Sequence, residues 1–229
     1  MAYRTPLKDR TLPDYTRGEE IFNMVSHTVG GGFAIAALLA CLCVGAWQHS
    51  IWAVICSLIY GAAMINLYAM SSIYHGLKPE NPKKVFQVID HCAIYFLIAG
   101  TYTPITLVTL RPIYPGLAWG ITVFVWICCF AGAALTAIDL HKFMVISMIL
   151  YIGMGWSVVV FAKQVLEAVP SDAFVWLIAG GVAYTIGSVL YGIGKKRRYM
   201  HSLFHLFVLA GSILHFVCIL LLFLRIPTA

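Results

Sequence analysis

His201 and His205 stand four residues apart in an apolar stretch near the end of the chain. On an α-helix that spacing puts both imidazoles on one face, about 40° and one turn apart. Two rings so placed reach one metal ion, as in helical HExxH zinc sites. A catalytic zinc site takes three protein ligands and keeps one position open. The third candidate is His75, which closes an earlier apolar run and has Ser71 one turn before it on the same side. Zinc held by His75, His201 and His205 would lower the pKa of a bound water to about 7 and supply hydroxide at neutral pH. Asp90, near the start of the following run, would accept a proton from that water or orient a ligand from just outside the ligand set. Ser71 would hydrogen-bond a substrate carbonyl or the water.

Such residues need elements to bring them together, and the composition says which. Of the 229 residues, 61% are hydrophobic and 10% charged, against about 45–50% and about 25% in a soluble domain. Mean hydropathy is +0.88. This excludes an ordinary cytosolic domain, a disordered chain and a nucleic-acid-binding module, and leaves a membrane protein. The apolar runs predict seven membrane helices, at 24–46, 51–74, 85–110, 116–138, 143–162, 173–193 and 202–224. At roughly 20 residues each these leave short loops and no room for a second soluble domain. The expected layout is a polar N-terminal segment at 1–23, the seven-helix domain at 24–224 and a short tail at 225–229. No apolar stretch follows the first few residues, so no cleavable signal peptide is expected.

Lys and Arg placement orients the bundle. Arg4, Lys8, Arg10, Arg17, Lys78, Lys83, Lys84, Lys142, Lys195, Lys196, Arg197 and Arg198 fall on one side. Only Arg111, Lys163 and Arg225 fall on the other. The N-terminus is therefore cytoplasmic and the C-terminus extracytoplasmic, which an odd number of spans requires. The run at 195–198 reads as a topological anchor, with an anionic-lipid site as the alternative. The same orientation places His75, His201, His205, Asp90, His91, Ser71, His27 and Glu20, from four helices, in one layer near the inner face. Ionisable groups at membrane depth are costly and mark function. A dication there requires a protein-lined, partly wet cavity. A simpler reading competes: His75 and His201 cap helix ends at the headgroups, and the Asp90 charge suits a helix N-terminus.

Other polar residues read as structural. His49 and His141 fall in turns. His215 lies roughly 15 Å along the helix from His205, too far to share its ion. The seven cysteines form no CxxC pair and read as buried reduced thiols; Cys92 is on a different side of its helix from Asp90. Pro104, within Gly100-Thr101-Tyr102-Thr103-Pro104, frees a carbonyl and favours a kink. Trp47, Trp52, Tyr74, Trp119 and Tyr199 read as interfacial anchors.

The sequence resembles the hemolysin III family, the prokaryotic branch of the progestin and adiponectin receptor group. The resemblance runs from Glu20-Ile21-Phe22-Asn23-Met24-Val25-Ser26-His27 through Ser71-Ser72-Ile73-Tyr74-His75 and Asp90-His91-Cys92-Ala93-Ile94-Tyr95. It continues through the Pro104 motif to His201-Ser202-Leu203-Phe204-His205 and His215-Phe216. It implies seven membrane helices with a cytoplasmic N-terminus and a zinc ion near the cytoplasmic side, held by His75, His201 and His205. It also implies Asp90 acting through water, with Ser71 beside it. Alkaline ceramidases are distantly similar and hydrolyse an amide at a like site.

Three functions remain open on the sequence. The first is a zinc-dependent hydrolase of a membrane lipid amide or ester in the cell membrane, with the lipid entering between helices. The second is a non-catalytic sensor or regulator of membrane lipid, with structural zinc. The third is a transporter or lytic pore, which would need a second charged layer that is not seen beyond His215. The outer loops are short, and no large extracellular ligand domain is expected.

Overall fold

The structure is a computed structural model that describes residues 4–194 and 197–226. Among these residues there are helices and no strands. Seven helices are long and apolar enough to cross a membrane. They are α1 (Arg17–Trp47), α2 (Ile51–Gly76), α3 (Glu80–Leu110), α4 (Pro115–Ile138), α5 (Met144–Ala168), α6 (Ser171–Gly194) and α7 (Met200–Leu224). The chain is an all-α, seven-helix membrane bundle. Lys195 and Lys196 of the basic run, and residues 227–229 of the tail, lie outside the described residues.

Helices are the available solution in hydrocarbon, where each backbone polar group must find its partner within the segment. Neighbours in sequence pack as neighbours in space: α1 on α2, α2 on α3, α3 on α4 and α6 on α7, with α1 closing against α7. α3 is the most enclosed span and α5 the most exposed. Tyr60, Tyr68, Tyr95, Met64 and Phe223 are wholly buried between helices. Val29, Ile35, Leu39, Val145 and Ile149 point outward, as apolar side chains do when the surroundings are lipid. Two glycines permit close approach. A Cβ on Gly30 would stand 2.4 Å from the Tyr68 ring, and one on Gly132 would stand 2.3 Å from the Tyr95 ring.

The helices run past the apolar stretches that reveal them. α1 begins at Arg17, about two turns before Met24. Thr16 and Glu19 form a reciprocal capping box there: the Thr16 hydroxyl accepts from Glu19 N at 3.2 Å, and Glu19 Oε2 accepts from Thr16 N at 2.8 Å. α3 begins at Glu80, so Lys83 and Lys84 are its fourth and fifth residues rather than in a loop, and both are buried. Lys84 pairs with Glu80 at 2.6 Å. The break expected at 163–172 is shorter, because Ala162–Ala168 is helical and follows a 3-10 stretch at Ser157–Phe161.

Pro104 ends the α-helical part of α3, and the chain continues in π-helical turns at Ile105–Leu110. Threonine hydroxyls meet the carbonyls around it. Thr101 donates to Leu97 O and Thr103 to Ala99 O, each at 2.8 Å, and Thr106 donates to Tyr102 O at 3.0 Å. Of the aromatic anchors, Trp47, Trp119 and Tyr199 are exposed. Trp52 instead lies under the Arg111 guanidinium, 4.2 Å from its ring. Tyr74 is buried beside His75, with Lys83 Nζ 5.2 Å from its ring.

The segment before α1 is strapped across the inner ends of the helices. Thr5 N donates to Asp139 Oδ2 at 3.0 Å, and Arg10 donates to Ile138 O at 3.1 Å. His141 Nε2 lies 3.2 Å from Thr11 O. Arg198 pairs with Asp14 and Glu19, each at 3.4 Å, which ties the strap to the start of α7.

Candidate metal centre

His75 leaves the last turn of α2, and His201 and His205 the first two turns of α7. The i, i+4 spacing holds the α7 pair on one face, with Nε2 atoms 3.1 Å apart. The His75 ring meets both, at centroid distances of 5.3 Å to His201 and 4.9 Å to His205. One ligand nitrogen from each of the three rings lies within 4.8 Å of the others, and all three residues are buried.

The hydrogen-bond inventory says what the cluster is prepared to hold. His75 Nδ1 lies 2.6 Å from Glu20 Oε2, and Glu20 Oε1 accepts from Lys83 Nζ at 2.8 Å. Donation from Nδ1–H to the carboxylate leaves His75 Nε2 as a bare lone pair in the neutral ring. That atom is buried and has no protein partner. A buried acceptor without a partner costs about 1–3 kcal/mol. A carboxylate behind a histidine whose other nitrogen faces inward is the arrangement that orients zinc-ligating imidazoles. Three neutral nitrogen donors suit zinc. The residues present therefore fit a metal ion of this class.

The neighbours complete the pocket. Ser71 is one turn before His75, and its Oγ is buried beside the Asp90 carboxyl. His27 of α1 stacks on His205 at 3.7 Å and 17°. The Tyr68 ring abuts His27 edge-on at 5.1 Å. Tyr15, on the N-terminal strap, stacks on His201 at 4.9 Å and 21°. Burial, reinforced by nearby Tyr191 and acidic groups, pushes the Tyr15 hydroxyl above the ordinary phenol range, so it stays neutral.

Two spaces meet at the histidines. A cavity of about 150 Å³ has His27, Ser71, Asp90, His201 and His205 in its wall and runs between the helices to Tyr184 and His215. A vestibule of about 530 Å³ lies below it, lined by Tyr15, Glu19, His141, Arg197, Arg198 and His201. His201 and His91 border both.

The structure thus brings His75, His201 and His205 together and sets Ser71 and Asp90 in the wall of the adjoining cavity. His91, next to Asp90, turns its Nδ1 to Gln87 O at 2.8 Å and its Nε2 to the Tyr191 hydroxyl at 3.3 Å. Cys92 points the other way, towards Ala133 O on α4. His215 sits deep in the bundle, away from the cluster, with Nε2 3.1 Å from Leu177 O. The sequence reading put Glu20 and His27 in the right layer but gave neither a partner. The Glu20–His75 pair and the His27–His205 stack depend on how α1 is rotated. Nothing in the sequence predicted Tyr15 at the site.

Comparison with known proteins places the chain in a family. The family model described as "Haemolysin-III related" matches residues 15–216. "Hemolysin-3" of Bacillus cereus is 35% identical over 211 residues, 92% of this chain and 94% of that protein. "Hemolysin-3 homolog" of Bacillus subtilis (strain 168) is 33% identical over 213 residues, 93% of this chain and 98% of that protein. "Monocyte to macrophage differentiation factor" of Homo sapiens is 26% identical across the whole of this chain and 93% of its own length. The chain belongs to the haemolysin-III related family of multi-pass membrane proteins.

Proposed function

We propose that the chain is a zinc-dependent hydrolase of membrane lipid amides or esters, acting at the cytoplasmic side of the cell membrane in lipid homeostasis. The observation that carries this reading is the position of the three histidines. His201 borders both an apolar cavity between the helices and a polar vestibule, His205 lines the cavity, and His75 brings a ligand nitrogen within 4.8 Å of theirs, with Ser71 and Asp90 in the cavity wall. An acyl chain belongs in the apolar part, and water and a headgroup belong in the vestibule. Zinc, when bound, supplies Lewis acidity and an easily ionised water.

The chain's own residues do the rest. Ser71 Oγ, beside the Asp90 carboxyl in the cavity wall, donates a hydrogen bond to the substrate carbonyl. Asp90 takes the proton of the attacking water and delivers it to the leaving nitrogen or oxygen. Glu20 holds the His75 ring in the tautomer that keeps Nε2 free for the metal. Tyr15 covers the vestibule side of His201 and limits access of bulk water.

The test is release of free fatty acid from ceramide-like and phospholipid substrates by purified, zinc-loaded protein. Asp90→Asn should retain zinc and lose at least about 100-fold in turnover, the range of general-base contributions. No turnover of any lipid class at full zinc occupancy would overturn the reading. A second reading has one observation in its favour: the ligands come from α2 and α7, so a bound ion also clamps two helices. In a sensor with purely structural metal, Asp90→Asn would leave the phenotype intact while His205→Ala lowered thermal stability.

A further inference from the structure

The far end of the cavity carries a polar atom that the proposed hydrolysis does not use. His215 lines this end. Its Nε2 lies 3.1 Å from Leu177 O and must carry the proton that this acceptor receives. Nδ1 is then a bare acceptor, and it is buried without a partner. The ring cannot easily turn elsewhere. It lies against the Gly180 backbone, where a Cβ would come within 2.1 Å of His215 Cδ2, and the Tyr184 ring is 5.3 Å away.

The other polar groups at this end are committed. The Tyr184 hydroxyl and Ser212 Oγ are 2.8 Å apart, and Ser212 Oγ also accepts from Tyr68 at 2.8 Å. Thr185 accepts from Trp156 Nε1 at 2.9 Å and donates to Gly181 O at 2.7 Å. The Tyr102 hydroxyl donates to Gly155 O at 3.1 Å and accepts from Val158 N at 3.0 Å. The walls between the two ends are apolar, with Leu97, Ile98, Ile152, Ile178 and Val208. The cavity therefore has unsatisfied polar atoms at its inner end, an apolar middle, and one unsatisfied acceptor roughly 15 Å further along α7.

We propose that His215 Nδ1 is a specificity element that accepts a hydrogen bond from a hydroxyl carried part-way along the acyl chain of the lipid. The preferred chain is thus a hydroxylated one, with its hydroxyl about as far from the carbonyl as His215 lies from His205. This deepens the lipid reading and rests on it. An unhydroxylated chain of the same length leaves Nδ1 without a partner, whereas the hydroxylated chain supplies one. A neutral hydrogen bond of this kind amounts to roughly tenfold in affinity.

The experiment is competition of two free fatty acids of equal length, one with a mid-chain hydroxyl and one without, against a fluorescent fatty acid bound to the zinc-loaded full chain. The expected result is roughly tenfold tighter binding of the hydroxylated acid, with the preference lost in His215→Leu and binding of the plain acid unchanged or improved. The wild-type comparison needs no variant, so a folding defect in His215→Leu would not remove the test. Equal affinity of the two acids for the wild type would overturn this proposal and leave the lipid reading standing. Failure of both acids to bind would overturn both.

Discussion

Glu20→Gln removes one charge from the molecule and nearly nothing from its shape. In the structure the Glu20 carboxylate has two partners, His75 Nδ1 at 2.6 Å and Lys83 Nζ at 2.8 Å. It fixes which His75 nitrogen carries the proton and offsets part of the charge of a bound dication. Loss of such a partner behind a ligating histidine typically costs 10–100-fold in metal affinity, which is about 1.4–2.8 kcal/mol. The assay is a zinc competition titration against a chromophoric chelator on the detergent-solubilised protein. Thermal unfolding at fixed free zinc gives a second reading. A tenfold weaker site loses about 1.4 kcal/mol of metal-dependent stabilisation, while the metal-free proteins should differ less. Lys83→Met is the control, because it removes a competitor for Glu20 and should leave zinc affinity unchanged or raise it. Wild-type affinity in Glu20→Gln would refute the argument that this carboxylate sets up His75 as a ligand.

Three further outcomes are expected. Burial alone would raise the pKa of Asp139, but hydrogen bonds from Thr5 and from Lys142 N outweigh it and hold the carboxyl below its ordinary range. The stabilisation is therefore present above about pH 3.9 and lost as pH falls through the lower folded value; the hydrogen-exchange protection of residues 4–10, taken against each amide's intrinsic rate, should be steady from neutral pH down to that point and then fall, and Asp139→Asn should abolish the dependence. Gly132→Ala drives a Cβ against the fully buried Tyr95 ring and should cost about 1–3 kcal/mol in thermal unfolding, whereas Gly153→Ala, with open space around it, should be neutral or stabilising. Tyr15→Ala uncovers His201 and should speed zinc removal by a chelator while changing equilibrium occupancy little; an unchanged rate would show that the strap does not guard the site.

The three histidines were legible in the sequence for two physical reasons. Helical spacing puts His201 and His205 on one face, and the basic residues put the start of α7 and the end of α2 at the same membrane face. Apolar length likewise revealed all seven spans. It did not reveal where the helices begin, because Glu19, Asn23, Lys83 and Lys84 break the apolar pattern while being helical and buried. Glu19, Lys83 and Lys84 meet partners on the N-terminal strap and at the neighbouring helix ends, and Asn23 lies buried near the site, yet hydropathy counts all four as loop. Glu20 and His27 reach His75 and His205 across helix boundaries, and such contacts depend on helix rotation that no spacing within one helix encodes. Tyr15 reaches His201 because the strap is tied down at Asp139, Ile138 and Arg198, three positions far from it in the chain. His215 looked structural, and only the geometry shows one nitrogen committed and the other bare.

The central claim is that His75, His201 and His205 hold one ion between α2 and α7. Metal content by mass spectrometry on the purified wild type and on His75→Ala, His201→Ala and His205→Ala tests it most directly. The account predicts about one zinc per wild-type chain, in keeping with a single three-histidine site, and loss of that zinc in each of the three variants. A wild type that carries no metal after expression with zinc present, or a folded variant that keeps its full complement, would contradict it.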